Sequence, residues 1–289
     1  MRITALPSES SKTSNAAGAF AVCLTVVLLF WPSIQTAMAL AVRDDRYLHV
    51  LLAPLACAFL MFWNRSAIFA EARYSPNAGI PLLLCATVLA LACAGASLAL
   101  SVSAAVLVCF AGFVLCYGVR SFRAGLYPLC CLLLTIPPPA LWMERVAAWL
   151  QRGSADVAYF IFRLTPFPVL RHGIDFSLAG LNFEIGPECS GIHSTLALMM
   201  VAIGAAYVYL RTGWARTVLL LLIVPIVLVK NALRIVVIST LGAYVNRVFV
   251  DGAFHHRFGG LVFSAVGVVL LFAVLLGLQK VERRARHIA

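Results

Sequence analysis

Charge is scarce in this 289-residue chain: Asp, Glu, Lys and Arg make up 11% of it, and only 11 residues are acidic. A soluble domain carries about 25% charged residues, so the shortage excludes an ordinary water-soluble class. Other absences narrow the chemistry. There is no His-Glu-x-x-His metal site and no Gly-x-Ser-x-Gly elbow. No cysteine pair has zinc-ligand spacing accompanied by histidines, so no metal and no cofactor is expected. Internal repeats are missing, and low complexity is confined to the short Ser-rich N-terminus. Ionisable residues near the middle of apolar runs are few, which disfavours a transporter core.

What is present is apolar length. The chain is 63% hydrophobic, and several stretches approach the roughly 20 apolar residues that cross a hydrocarbon core. We read an all-α polytopic membrane protein of about eight spans: 19–41, 47–63, 80–100, 103–119, 125–142, 190–210, 218–235 and 258–279. Lys and Arg are retained on the cytoplasmic side of short loops. Arg2 and Lys12, the Arg65–Arg73 loop, Arg120 with Arg123, Arg211–Arg216 and Lys280–Arg286 all fall on one face of that arrangement. Residues 1–18 read as a cytoplasmic tail, 19–279 as one membrane domain with an extracytoplasmic insertion at 143–189, and 280–289 as a basic cytoplasmic tail. The net charge of +11 is therefore mainly topogenic, with anionic lipid contact in addition and no nucleic-acid partner. The first run and Ala37-Met38-Ala39 resemble a signal peptide. Its apolar core is longer than usual for one, and we expect the segment to be retained.

Within the insertion, residues 143–164 interleave Val146, Leu150, Ala158, Phe160 and Ile161 with Glu144, Arg145, Arg152, Asp156 and Arg163. Such a segment suits the membrane interface better than the bilayer centre. Residues 173–186 then switch to period two: Ile174, Phe176 and Leu178, then Leu181, Phe183 and Ile185, separated by Ala179-Gly180. This pattern predicts a small β-hairpin.

Eight of the nine cysteines lie inside apolar runs, where a thiol behaves as a small hydrophobe. Cys189 alone stands at a break, in Gly186-Pro187-Glu188-Cys189-Ser190-Gly191. Arg234 closes the predicted 218–235 span and His255 precedes the last one, so the three share the extracytoplasmic face. A thiolate nucleophile, a guanidinium for an oxyanion and an imidazole to carry protons form a cysteine acyl-transfer set. Asn231 lies one turn before Arg234 and can hold it. Lys230, His193, Ser194 and His49 are secondary candidates. Each also has a plainer reading: an inert thiol, a snorkelling arginine, an idle interfacial histidine, ordinary span polarity.

The ordered set Cys189-Ser190-Gly191, Asn231 to Arg234, and His255 to Gly259 with Phe263 beyond resembles the exosortase/archaeosortase family of integral-membrane cysteine transpeptidases. Asp45-Arg46-Tyr47-Leu48-His49 before Leu52-Ala53-Pro54, and Thr135-Ile136-Pro137-Pro138-Pro139, extend the resemblance over roughly residues 43–280; Leu48 replaces the usual serine. The glycine and phenylalanine spacing points to His255, with His256 as the alternative. The resemblance implies an inner-membrane enzyme that cleaves C-terminal sorting signals of exported proteins through a Cys189 thioester. Those signals comprise a motif, often Pro-Glu-Pro, then a membrane helix, then a basic cluster. The competing reading is a non-enzymatic membrane protein, either a transporter or a factor for exopolysaccharide export.

Overall fold

The computed structural model describes residues 9–93, 95–186, 191–247, 249 and 259–288. The chain divides into two compact units, Met1–Pro139 and Ala140–Ala289.

In the first unit the opening apolar run is two helices, α1 (Glu9–Leu29) and α2 (Trp31–Arg43), rather than one straight span. They meet at a bend of 75°. Pro32 sits in the first turn of α2; its missing N–H and its ring are incompatible with unbroken helix through that point. A 3₁₀ turn at Asp45–Tyr47 follows, capped by Asp44, whose side chain accepts from the Arg46 N–H at 3.0 Å. Then come α3 (Leu48–Trp63), α4 (Arg65–Ile68), α5 (Pro76–Ala92) and α6 (Leu98–Ala124).

The break between α5 and α6 falls at 93–97, ahead of the turn at 101–103 that the sequence predicts. Gly95 is left-handed there, and the Ser97 hydroxyl caps α6 by accepting from the Leu100 N–H. Ala86 of α5, Val26 of α1 and Ala105, Val108 and Ala111 of α6 make the core. α6 kinks at Gly118, whose φ of 83° lets the Arg73 carbonyl approach; a Cβ there would lie 2.8 Å from it. The predicted 125–142 span is also broken. It becomes α7 (Leu126–Cys130) and a 3₁₀ turn (Cys131–Thr135) that ends before Pro137-Pro138-Pro139, since a residue preceding proline is pushed out of helical geometry.

The second unit opens with α8 (Ala140–Arg163), which buries Leu150, Ala155, Ala158 and Phe162 while Trp142, Val146, Trp149 and Phe160 stay exposed. A three-stranded antiparallel sheet stands where the alternation predicts two strands: β1 (Val169–His172), β2 (Asp175–Leu178) and β3 (Leu181–Glu184). Phe176 pairs with Phe183 and Leu178 with Leu181. The β2–β3 turn runs through Ala179 and Gly180, both at positive φ. Phe176, Leu178 and Ile185 pack on Ala155, Ala158 and Phe162 of α8 and on Ala232, Ile235 and Val236 of the later helix α11 (Ile223–Tyr244). The Arg171–Asp156 ion pair at 2.7 Å and the Gln151 amide on the Ile185 carbonyl fasten the sheet to α8.

Three helices and a short connector complete the unit: α9 (Ile192–Tyr209), α10 (Gly213–Leu221), α11 (Ile223–Tyr244) and α12 (Gly259–Ile288). Leu198, Ala202, Ala206, Leu219, Val227, Leu271 and Leu275 form their common core. The 218–235 span is longer than the sequence suggests and has a joint at Leu222. Pro225 fits the first turn of a new helix and not the middle of an old one. Its far end runs on to Tyr244, because Ile235 to Ile238 remain apolar and the Ser239 hydroxyl returns to the Ile235 carbonyl at 2.6 Å. Arg234 is therefore inside α11, ten residues from its end. α12 likewise continues through the basic residues after 279.

Among the described residues, five helices are long and apolar enough to cross a membrane, or seven if each of two bent pairs is one span, where the sequence predicts about eight.

Candidate functional site

Cys189, His255 and His256 lie outside the described residues. Arg234 and Asn231 lie within them, three residues apart on α11, so they share a face. Lys230 adds a third polar group. Its side chain is 4% exposed and that of Asn231 2%, while Arg234 is half-buried with its Nε inside.

The turn leading into α9 meets this face at Gly191. That residue has φ 68° and ψ 15°, a left-handed conformation that favours glycine. It is also pressed against α11: a Cβ on Gly191 would stand 1.9 Å from Asn231 Nδ2 and 2.7 Å from its Cγ. No larger residue fits that gap. The Gly191 carbonyl accepts the Thr195 N–H at 2.8 Å, the Thr195 hydroxyl at 2.8 Å and the Ser194 hydroxyl at 2.9 Å. Ser194 in turn accepts from the Lys230 ammonium at 2.5 Å. Two neighbouring residues of α11 thus hold one glycine turn, Asn231 by direct packing and Lys230 through a hydroxyl. Gly267 of α12 makes room for the Lys230 stem; a Cβ there would stand 3.1 Å from Lys230 Cδ.

Lys230 and Arg234 stand one turn apart on α11, which carries no acidic residue. Like charges at this spacing repel and destabilise a helix, and ionisable groups in a spanning helix are costly unless they serve a site.

The secondary candidates separate. Ser194 and Lys230 join one hydrogen-bonded chain, a link the sequence could not show because 36 residues intervene. His193 is exposed in the first turn of α9. His49 belongs to the first unit, buried, with Nδ1 against the Arg46 carbonyl at 3.1 Å. The other eight cysteines are free thiols, all in the first unit.

A family model described as transmembrane exosortase matches residues 41–273, more than half of the chain. No curated protein and no solved structure matches it.

Proposed function

The chain belongs to the transmembrane exosortase family, a multi-pass membrane protein with several spanning helices, and from that premise we propose that it is a cysteine transpeptidase working at the extracytoplasmic face of the inner membrane. Its substrates are exported proteins with a C-terminal signal of motif, membrane helix and basic cluster. Cys189 is the nucleophile, Arg234 the oxyanion donor and His255 the proton carrier, with His256 as the alternative carrier. Asn231 supports the arginine from the preceding turn.

The observation that carries this reading is the contact of Gly191 with Asn231 on a helix face bearing two cations. Cys189 is only two residues before Gly191 in the sequence, a separation that extended chain covers in about 7 Å. A nearby cation favours the thiolate form of a cysteine. Attack of that thiolate on the scissile carbonyl forms a C–S bond and puts the negative charge on the carbonyl oxygen. Arg234 stabilises that charge, which exists only during reaction. Collapse breaks the C–N bond, and the imidazolium supplies the proton that lets the amine leave. An acceptor amine or water, deprotonated by the same imidazole, then attacks the thioester and restores the thiolate.

The test is processing of a co-expressed substrate bearing such a signal. Cys189→Ala and Cys189→Ser should accumulate precursor at unchanged enzyme level, while Cys130→Ala should process normally. His255→Ala should accumulate precursor and His256→Ala should stay mostly active; the reverse moves the proton carrier to His256. Full processing by Cys189→Ala would reject the thiol mechanism and return the chain to a non-enzymatic role in export.

A further inference from the structure

At the opposite end of α9 from Gly191, the helix stops at Tyr209 and the chain turns through Leu210, Arg211 and Thr212 into α10. Against this turn lies the C-terminal part of α12. Between them is a cavity of about 440 Å³ lined by Tyr209, Arg211, Gln279, Glu282, Arg283 and Arg286. It holds three guanidiniums and one carboxylate.

The carboxylate is already engaged. Glu282 is 3% exposed and accepts the Thr212 N–H at 2.8 Å, the Arg211 N–H at 3.2 Å and the Thr212 hydroxyl. It fastens the turn into α10 by satisfying the N–H of Thr212, the residue that opens that helix, and of Arg211 before it. One carboxylate cannot offset three guanidiniums: Arg286, one turn along α12, donates to the Glu282 carbonyl at 3.4 Å, and the lining as a whole keeps an excess of positive charge. Arg211, Arg283 and Arg286 are all exposed at the mouth of the cavity. Arg216 is occupied elsewhere, donating twice to the Leu210 carbonyl at 3.0 and 2.8 Å.

The cavity's depth in the membrane is marked by its neighbours. Two spanning helices end here, and Tyr209 in the cavity's lining is 52% exposed, as is Trp214 at 47% in the first turn of α10. Exposed Tyr and Trp at span ends sit at head-group level. A cavity at that level, with planar forks that match phosphate oxygens, takes a lipid phosphodiester. The ligand's net charge follows as well. A zwitterionic head group would bring a cation into a lining of three guanidiniums, and the one carboxylate that could offset it is buried beneath backbone N–H groups.

We propose that this cavity is a binding site for the phosphate head group of an anionic phospholipid, held by Arg211, Arg283 and Arg286. It is independent of the proposed catalytic chemistry. Basic pockets between spanning helices are a general means of lipid recognition, and mere retention of positive charge near the membrane does not require a fork.

That difference supplies the test. The full-length protein is purified in a neutral detergent and titrated with phosphatidylglycerol, phosphatidylcholine or inorganic phosphate, with bound species counted by native mass spectrometry. Wild type should retain phosphatidylglycerol at least about tenfold better than phosphatidylcholine. The triple variant Arg211→Lys, Arg283→Lys, Arg286→Lys keeps every charge and should lose most of that preference, at unchanged thermal stability. The triple glutamine variant should lose all of it. If the triple lysine variant is stable and binds phosphatidylglycerol as wild type does, the site is only a diffuse charge and the proposal fails. Equal retention of phosphatidylcholine would overturn it too. Full displacement of the lipid by millimolar inorganic phosphate would assign the cavity to a soluble anion and overturn the lipid assignment.

Discussion

Gly191 and Asn231 are in such close contact that a single added methyl group on the glycine would overlap the asparagine amide, at 1.9 Å from Nδ2. The glycine is also left-handed, at φ 68°. Gly191→Ala therefore meets two penalties, a collision and a conformation that costs an L-residue about 1–2 kcal/mol. The turn must shift away from α11, and processing of a signal-bearing substrate should fall at least about tenfold, since 1.4 kcal/mol is a factor of ten. Gly204→Ala is the control, because a Cβ there meets nothing within 4 Å. Precursor-to-product ratios at matched protein level give the comparison. Wild-type processing by Gly191→Ala would detach this contact from function.

Lys230 reaches the same turn through Ser194. Hydrogen bonds to charged groups contribute about 1.5–3 kcal/mol, so Ser194→Ala and Lys230→Met should each slow turnover about tenfold or more while leaving apparent substrate affinity unchanged. Because the two act as one chain, the double variant should be little worse than either single. Ser194→Thr keeps the hydroxyl and should retain activity. Stability separates this role from simple packing: methionine relieves the desolvation cost of a buried ammonium, which offsets the hydrogen bond it loses. Lys230→Met should then lose turnover without losing thermal stability, and a fall in both would make Lys230 a structural residue only.

Much of this was legible beforehand, for physical reasons that also mark where legibility stops. Apolar length announces a membrane protein, and the period-two alternation around Phe176 and Phe183 announces strands. The β1 strand is hidden because Val169-Leu170-Arg171-His172 is short and half polar, and gains its order only from pairing with Asp175–Leu178. Hydropathy cannot see where a long apolar run bends, so the joint at Pro32 divides helices that look continuous. The end of α11 is hidden in the sequence: Arg234 looks like a boundary charge, yet the residues after it remain apolar and helical to Tyr244. The shared face of Asn231 and Arg234 follows from helical spacing alone, whereas the Lys230–Ser194 bond joins two helices and obeys no spacing rule.

Topology gives a prediction that does not depend on activity. Lys and Arg asymmetry assigns positions 213 and 285 to the cytoplasm and positions 175, 189 and 255 to the other side. Cysteines introduced at 175, 213, 255 and 285 into a variant lacking the native thiols, together with Cys189 restored alone, should divide accordingly with a membrane-impermeant maleimide. Labelling of 189 and 255 from opposite faces would exclude a shared catalytic site.

Arg234 offers the sharpest distinction between site and anchor. It lies within α11 rather than at its end, between residues whose neighbours Ala232, Ile235 and Val236 are covered by α8 and the sheet. A long cation that merely reaches for water is replaceable by lysine. A planar fork that donates to a developing oxyanion is not. Loss of one oxyanion donor typically costs about 10²–10³ in rate, so Arg234→Lys should accumulate precursor nearly as strongly as Arg234→Ala. The defect should appear in turnover rather than in substrate capture, because the charge it stabilises is absent from the bound substrate. Trapping substrate on a Cys189→Ala background, with and without Arg234→Lys, reads the capture step alone and should give equal yields. Normal processing by Arg234→Lys would leave the arginine as an anchor and the oxyanion without its proposed donor.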